Sequence, residues 1–216
     1  MESVNVMTQP PLAGGAPQSL VLLLHGVGSN GADLIGLAPH LAEALPHTEF
    51  VSPDAFEPYD MAPFGYQWFS LADRSLPVMM REVRRTAPRL QSFIDQLLEA
   101  RRLDDSKLAF VGFSQGTMMT LHVGLRRKHP PAGLVGFSGA LLAGAELTSE
   151  VTSRPPVLLM HGDCDEVVPF GALAAAQSGL AAVGIACETL LCRGLGHGID
   201  EQGLARARSF LATVLA

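Results

Sequence analysis

One serine in this chain stands where a serine can become a nucleophile. The run Lys107-Leu-Ala-Phe-Val-Gly112-Phe-Ser114-Gln-Gly116 sets Gly-x-Ser-x-Gly between a short apolar, β-rich stretch and a helical one. A sharp turn from strand into helix strains the serine and exposes its Oγ. Gly112 and Gly116 carry no side chains to collide with the strand and helix at such a turn. The following helix points its amino end, with partial positive charge, at the same place, which favours an oxyanion. A glycine-flanked serine alone also describes an ordinary tight turn, so the reading depends on what else the chain supplies.

A serine hydroxyl is a poor nucleophile at neutral pH; it needs a base, and the base needs an orienting carboxylate. Where the serine sits on such an elbow, the chain order is serine, acid, histidine. The histidines after Ser114 are His122, His129, His161 and His197. His122 falls inside the helix after the serine and faces away from it. His129 precedes two prolines at that helix's end and reads as solvated. His161 ends a strand and precedes every acid of its own loop. His197 lies in Gly194-Leu-Gly196-His197-Gly198, a glycine-rich loop after the last strand that can bring an imidazole close to a substrate. It is the expected base. For the acid, His161-Gly-Asp163-Cys-Asp165-Glu166-Val-Val-Pro169 follows a strand, at the carboxyl end where sites of open α/β sheets lie. Asp165, ahead of a Val167-Val168 pair that would anchor the loop, is the expected acid. Asp163 stands as the alternative, its other role being to bond loop amides. Asp200 reads as the N-cap of the last helix.

A tetrahedral intermediate needs donors placed before its charge develops, and one missing donor typically costs ~2.7–4 kcal/mol. The backbone N–H of Gln115, directly after the serine, is the expected first donor. The second is expected from the loop after an early strand, His25-Gly26-Val27-Gly28-Ser29, with Val27 N–H as the candidate. His25 is expected to brace that loop rather than to react. Phe64, Tyr66, Trp68, Phe69 and Leu71 occupy a long segment, where they either line an acyl pocket or cover the sheet edge; Phe64, Trp68 and Phe69 are the pocket candidates.

These groups need a scaffold, and the chain's periodicity describes one. Apolar strand-like runs at 19–24, 49–52, 107–112, 133–137, 156–160 and 187–192 alternate with helical patterns at 33–45, 86–103, 115–127, 170–183 and 201–215. Pro88 fits the second helix only in its first turn. The segment 56–77 reads as a long functional loop. Alternating strands and helices predict an α/β domain, a mostly parallel central sheet with helices on both faces. Residues 19–216 form that domain; residues 1–18, with Pro10, Pro11, Gly14, Gly15 and Pro17, read as a loose, flexible N-terminal arm.

Composition bounds the function. The 216 residues carry a net charge of −6, which argues against a nucleic-acid partner. The basic stretch Arg81 to Arg89 reads as a solvated helix face. The three cysteines form no disulfide framework or common metal motif, which predicts a reducing compartment and no metal. No run approaches a membrane span, and the N-terminus lacks the pattern of a signal peptide, so the expected location is cytoplasmic.

Taken together, His-Gly-Val-Gly (25–28), Gly-Phe-Ser-Gln-Gly (112–116), His-Gly-Asp-Cys-Asp-Glu-Val-Val-Pro (161–169) and Gly-Leu-Gly-His-Gly (194–198) resemble the phospholipase/carboxylesterase family of the α/β-hydrolase fold. That family includes acyl-protein thioesterases and small bacterial carboxylesterases. The resemblance runs from about Ser19 to the end of the chain. It implies a triad of Ser114, Asp165 and His197, with oxyanion donors at Val27 and Gln115. It also implies hydrolysis of short- to medium-chain acyl esters or thioesters through an acyl-enzyme, acylated proteins as a further substrate class, no cofactor, and homodimers as a recurrent assembly. The alternatives are a peptidase or dienelactone-type hydrolase, for which cysteine rather than Ser114 would be expected at the elbow, and a non-catalytic binding protein on the same scaffold. One departure stands out: the family often has an acidic residue after its Trp-Phe pair, where this chain has Ser70.

Overall fold

Four short, largely aliphatic runs have no polar face to offer water, and they stack side by side. The computed structural model describes residues 4–216. Its main sheet has seven strands: β1 (Val6–Gln9), β2 (Ser19–Leu24), β3 (Thr48–Pro53), β6 (Leu108–Phe113), β7 (Gly133–Phe137), β8 (Val157–Gly162) and β9 (Cys187–Cys192). Their spatial order is β1-β3-β2-β6-β7-β8-β9. Every pairing is parallel except β1 with β3. β2, β6, β7 and β8 are buried almost throughout, as strands covered on both faces must be.

The side-chain period of two splits the core into two halves. Leu20, Leu22, Leu24, Leu108 and Phe110 face one cluster; Val21, Leu23, Ala109 and Val111 face the other. The first half is covered by α3 (Leu76–Arg101), α4 (Gln115–Gly124) and α6 (Gly171–Ala182). The second is covered by α1 (Gly31–Leu34), α2 (Ala38–Ala42) and α7 (Glu201–Val214). A short helix, α5 (Leu147–Glu150), precedes β8. This is the α/β-hydrolase arrangement, a mostly parallel sheet between two helical layers. Among the described residues no helix is long and apolar enough to cross a membrane.

The structure corrects four expectations. First, the arm is not wholly loose: Val6–Gln9 add an edge strand, with Val6 opposite Pro53 and Gln9 opposite Phe50, and Pro10-Pro11 end it because neither can donate to a ladder. The first three residues of that arm lie outside the described ones. Second, the helix expected at 33–45 is broken into α1, a 3-10 turn (Ile35–Leu37) and α2, with Pro39 opening the last piece. Third, α3 begins ten residues before Thr86, and Pro88 lies in its interior. Met80, Val83, Ala87, Leu90, Ile94 and Leu98 bury a continuous stripe, and that burial outweighs the ~3 kcal/mol a mid-helix proline removes. Fourth, the segment 56–77 contains a small antiparallel ladder, β4 (Glu57–Pro58) with β5 (Tyr66–Gln67). The basic stretch on α3 is also not simply solvated. Arg84 pairs with Glu150 at 2.8 Å, Arg85 with Glu57 at 2.8 Å, and Arg89 lies over the Phe56 ring at 4.4 Å.

Candidate active site

Ser114 sits between β6 and α4 with φ 53° and ψ −115°, a conformation that side-chain-bearing residues rarely hold. The surroundings over-determine it. Ser114 N–H donates to Phe137 O at 2.9 Å, and the Thr117 hydroxyl donates to Gly112 O (2.8 Å) and Phe137 O (2.9 Å). A Cβ on Gly116 would run into Leu24 O, and one on Gly112 into the Gly116 carbonyl. Strand and helix approach so closely here that only glycine fits, which is why the pattern carries two.

The loop after β2 lies directly against the serine: a Cβ on Gly26 would be 3.3 Å from Ser114 Cβ. His25 braces this loop as expected. Its Nδ1 is 2.7 Å from Gly26 O and its Nε2 accepts from Ala55 N–H at 2.9 Å, so the proton sits on Nδ1 and the ring is neutral. Burial, the largest influence, holds its pKa below the ordinary histidine value despite the Gly26 carbonyl and the Asp54 and Asp33 charges. Among the described residues, neither Val27 N–H nor Gln115 N–H is given an intramolecular acceptor, while their neighbours Gly28 and Ser29 are bonded to Tyr66 O and Gly26 O. Both amides thus keep a hydrogen that no group among the described residues accepts.

The acid and base loops meet at the ends of β8 and β9. Asp165 Oδ2 is 2.8 Å from His197 Nδ1, and Asp165 Oδ1 accepts Val167 N–H and Val168 N–H, both at 2.9 Å. The valine pair therefore anchors the loop by its amides. Burial raises the Asp165 pKa, but the His197, Val168 and Val167 hydrogen bonds outweigh it and hold the carboxyl below the usual range. Because a carboxylate only accepts, His197 Nδ1 carries the proton and Nε2 keeps its lone pair for chemistry. The His197 ring lies 4.9 Å from the ring of Phe113, the residue before Ser114. Asp163 takes the other role foreseen for it: its Oδ1 accepts Gly194 N–H at 2.6 Å and so bonds the base loop to the acid loop. A Cβ on Gly162 would strike Leu195 O, so that glycine lets the two loops close on each other. Asp200 caps α7 through Gly203 N–H at 2.7 Å.

The three pocket candidates differ in exposure. Trp68 and Phe69 are fully buried, so they line no open pocket. Trp68 Nε1–H donates to His25 O at 2.8 Å and so holds the loop after β2, and its ring meets Phe56 edge-on. Phe64 is 73% exposed near the turn between β4 and β5. The β4–β5 ladder is fastened to the oxyanion loop by Gly28 N–H to Tyr66 O and Tyr66 N–H to Ser29 O, each 2.8 Å.

Several working residues carry no signal in the sequence. The Gln115 side chain receives Trp68 N–H at 2.9 Å and donates to Phe69 O at 2.6 Å, tying the segment to the elbow. Ser138, at the end of β7 with φ 48°, donates to Gly198 O at 3.2 Å beside the base. Ser70, standing where the family often has an acid, donates to Asp60 Oδ2 at 2.5 Å, so a carboxylate reaches that place from the β4–β5 turn.

The family model for Phospholipase/Carboxylesterase matches residues 12–215. The chain is 27% identical over 194 residues to "Esterase YpfH" of Escherichia coli (strain K12), covering 90% of this chain and 82% of that one. It is 28% identical over 169 residues to "Acyl-protein thioesterase 1" of Yarrowia lipolytica (strain CLIB 122 / E 150), covering 73% and 74% of the two chains. Among solved structures, that of esterase PE8 superposes with a TM-score of 0.93 at 38% identity, over 98% of this chain and 99% of the other.

Proposed function

The chain belongs to the phospholipase/carboxylesterase family and is a carboxylic ester hydrolase, and from that premise we propose that Ser114, His197 and Asp165 form its catalytic triad, with Val27 N–H and Gln115 N–H as the oxyanion donors. His197 Nε2 takes the Ser114 proton as Oγ attacks the acyl carbonyl. The tetrahedral oxyanion forms against the two amides and collapses as the protonated imidazole gives its proton to the leaving oxygen or sulfur. Water then enters by the same route and releases the acid from Ser114.

The observation that carries this reading is the Asp165 carboxylate, held on one side by two backbone amides and bonded on the other to His197 Nδ1. Short- to medium-chain acyl esters are the proposed substrates, with thioesters and acylated proteins as the second class, since one relative is named acyl-protein thioesterase. A cytoplasmic site of action fits the three unpaired thiols. The test is hydrolysis of p-nitrophenyl esters of increasing acyl length by wild type and Ser114→Ala. Wild-type turnover with a dead variant is expected, and the preferred length measures the pocket. Retained turnover in Ser114→Ala would remove the proposed nucleophile.

A further inference from the structure

The histidine set aside as a base proves to touch the acid. His161 ends β8 and is 2% exposed. Its Nε2 lies 3.0 Å from Val168 O and 3.2 Å from Asp165 Oδ2. Both neighbours are acceptors, so this nitrogen must carry a hydrogen. The carboxylate accepts three hydrogen bonds, from the Val167 and Val168 amides at Oδ1 and from His197 Nδ1–H at Oδ2, while the His161 Nε2–H that donates to Val168 O stands 3.2 Å from Oδ2 and presents its positive edge there.

We propose that His161 is a positioning residue for hydrolysis: with its Nε2–H bonded to Val168 O and lying 3.2 Å from Asp165 Oδ2, it fixes the plane of the carboxylate and limits the charge presented to the base. The proposal rests on the triad reading above. The ring's own orientation is set independently of the acid, by the Val168 carbonyl and by the Phe170 ring, edge-on at 6.4 Å. Thr117, Leu121, Ala140, Leu159 and Leu173 line the same closely packed region as His161, and none of them ionises. Other charges nearby are turned elsewhere. Asp163 is bonded to Gly194 N–H, Asp200 to Gly203 N–H, and Glu166 and Arg193 are exposed. Asp165 is therefore the charged group that His161 meets. Without the His161 N–H, Oδ2 would direct its charge at His197 alone, and the carboxylate could pivot about its amide-bonded oxygen.

The experiment measures kcat and KM for p-nitrophenyl acetate, across the pH range in which histidines titrate, in His161→Leu, His161→Gln and Asp165→Asn. Leucine removes the N–H at similar volume, and it is expected to lower kcat about tenfold with KM nearly unchanged. It should also move the acid limb of the rate profile upward by roughly half a pH unit, because the imidazolium gains an unshared carboxylate. Glutamine, whose amide reaches the same acceptors, should return the acid limb to the wild-type position. An acid limb unmoved by leucine overturns the proposal and leaves His161 as a brace for Val168. If the leucine variant does not fold, His161→Asn, one carbon too short to reach Asp165, takes its place with the same two outcomes. Full activity in Asp165→Asn would bring down the triad and this proposal together. An inactive Asp165→Asn beside an unmoved acid limb would bring down this proposal alone.

Discussion

Asp163 and Asp165 are two residues apart and chemically identical, and the structure gives them different work. Asp165 binds the base, whereas Asp163 binds the amide of Gly194. Asp165→Asn should lower kcat by up to ~10⁴-fold, because an amide in that place stabilises the wrong tautomer of the imidazole. Asp163→Asn keeps a side-chain oxygen for Gly194 N–H and should retain most of the activity; steady-state kinetics on the two variants decides between them. Ser114, His197, Asp165 and Asp163 could be singled out as candidates because the chemistry prescribes residue types and a chain order. The contact of His161 with Asp165 was not legible, because order along the chain speaks only to its use as a base and a contact needs a distance. Ser138 and the side-chain bonds of Gln115 were invisible for a related reason: serine and glutamine suit most surfaces, and only the positive φ of one and the burial of the other mark them.

Among the elements, the small β4–β5 ladder works through others. It touches the oxyanion loop by two backbone hydrogen bonds, and its turn is held by Asp60 to Ser70. Ser70→Ala should loosen it and lower kcat/KM by a few fold with little change in melting temperature, since an exposed hydrogen bond contributes only about 0.5–1.5 kcal/mol. Activity and a thermal melt, measured together, separate that outcome from general destabilisation. The ladder was not legible because its strands are two residues long and flanked by prolines and glycines that read as loop. Helix α3 was legible as a helix but not in its start, because Pro88 argued for a first turn there. In the interior, Pro88 leaves the Arg84 carbonyl without its helical partner. Pro88→Ala should restore that bond and raise the melting temperature, by about 2–4 °C for each kcal/mol regained in a chain of this size.

At the scale of the whole molecule, acid should destabilise the fold through buried histidines. His122 is buried in α4, with Nδ1 given no partner among the described residues. Burial, aided by the charge of Arg126, pushes its pKa down to about 3, against the weaker pull of Glu150. The unfolded chain takes up that proton near the ordinary value of 6.5 and the fold refuses it. Stability is therefore complete above that value and falls as pH drops toward about 3, by up to ~1.4 kcal/mol per pH unit. His25 acts in the same direction. Urea melts between neutrality and pH about 4 should show this slope, and His122→Leu should flatten it. The two-sided sheet itself was plain in the sequence, because strands buried on both faces have no polar period to mistake. One edge was not: β1 is four residues long, and its partner β3 lies some forty residues away.

The order in which the site residues leave the ribosome has its own consequence. The loop of Val27 follows β2, Ser114 follows β6, Asp165 follows β8, and His197 follows β9. The proposed nucleophile is thus made about eighty residues before its proposed base. Until β9 and its loop have been added, a nascent chain carries the serine without the means to ionise it. On the proposed triad, ester cleavage reports that synthesis has passed codon 197.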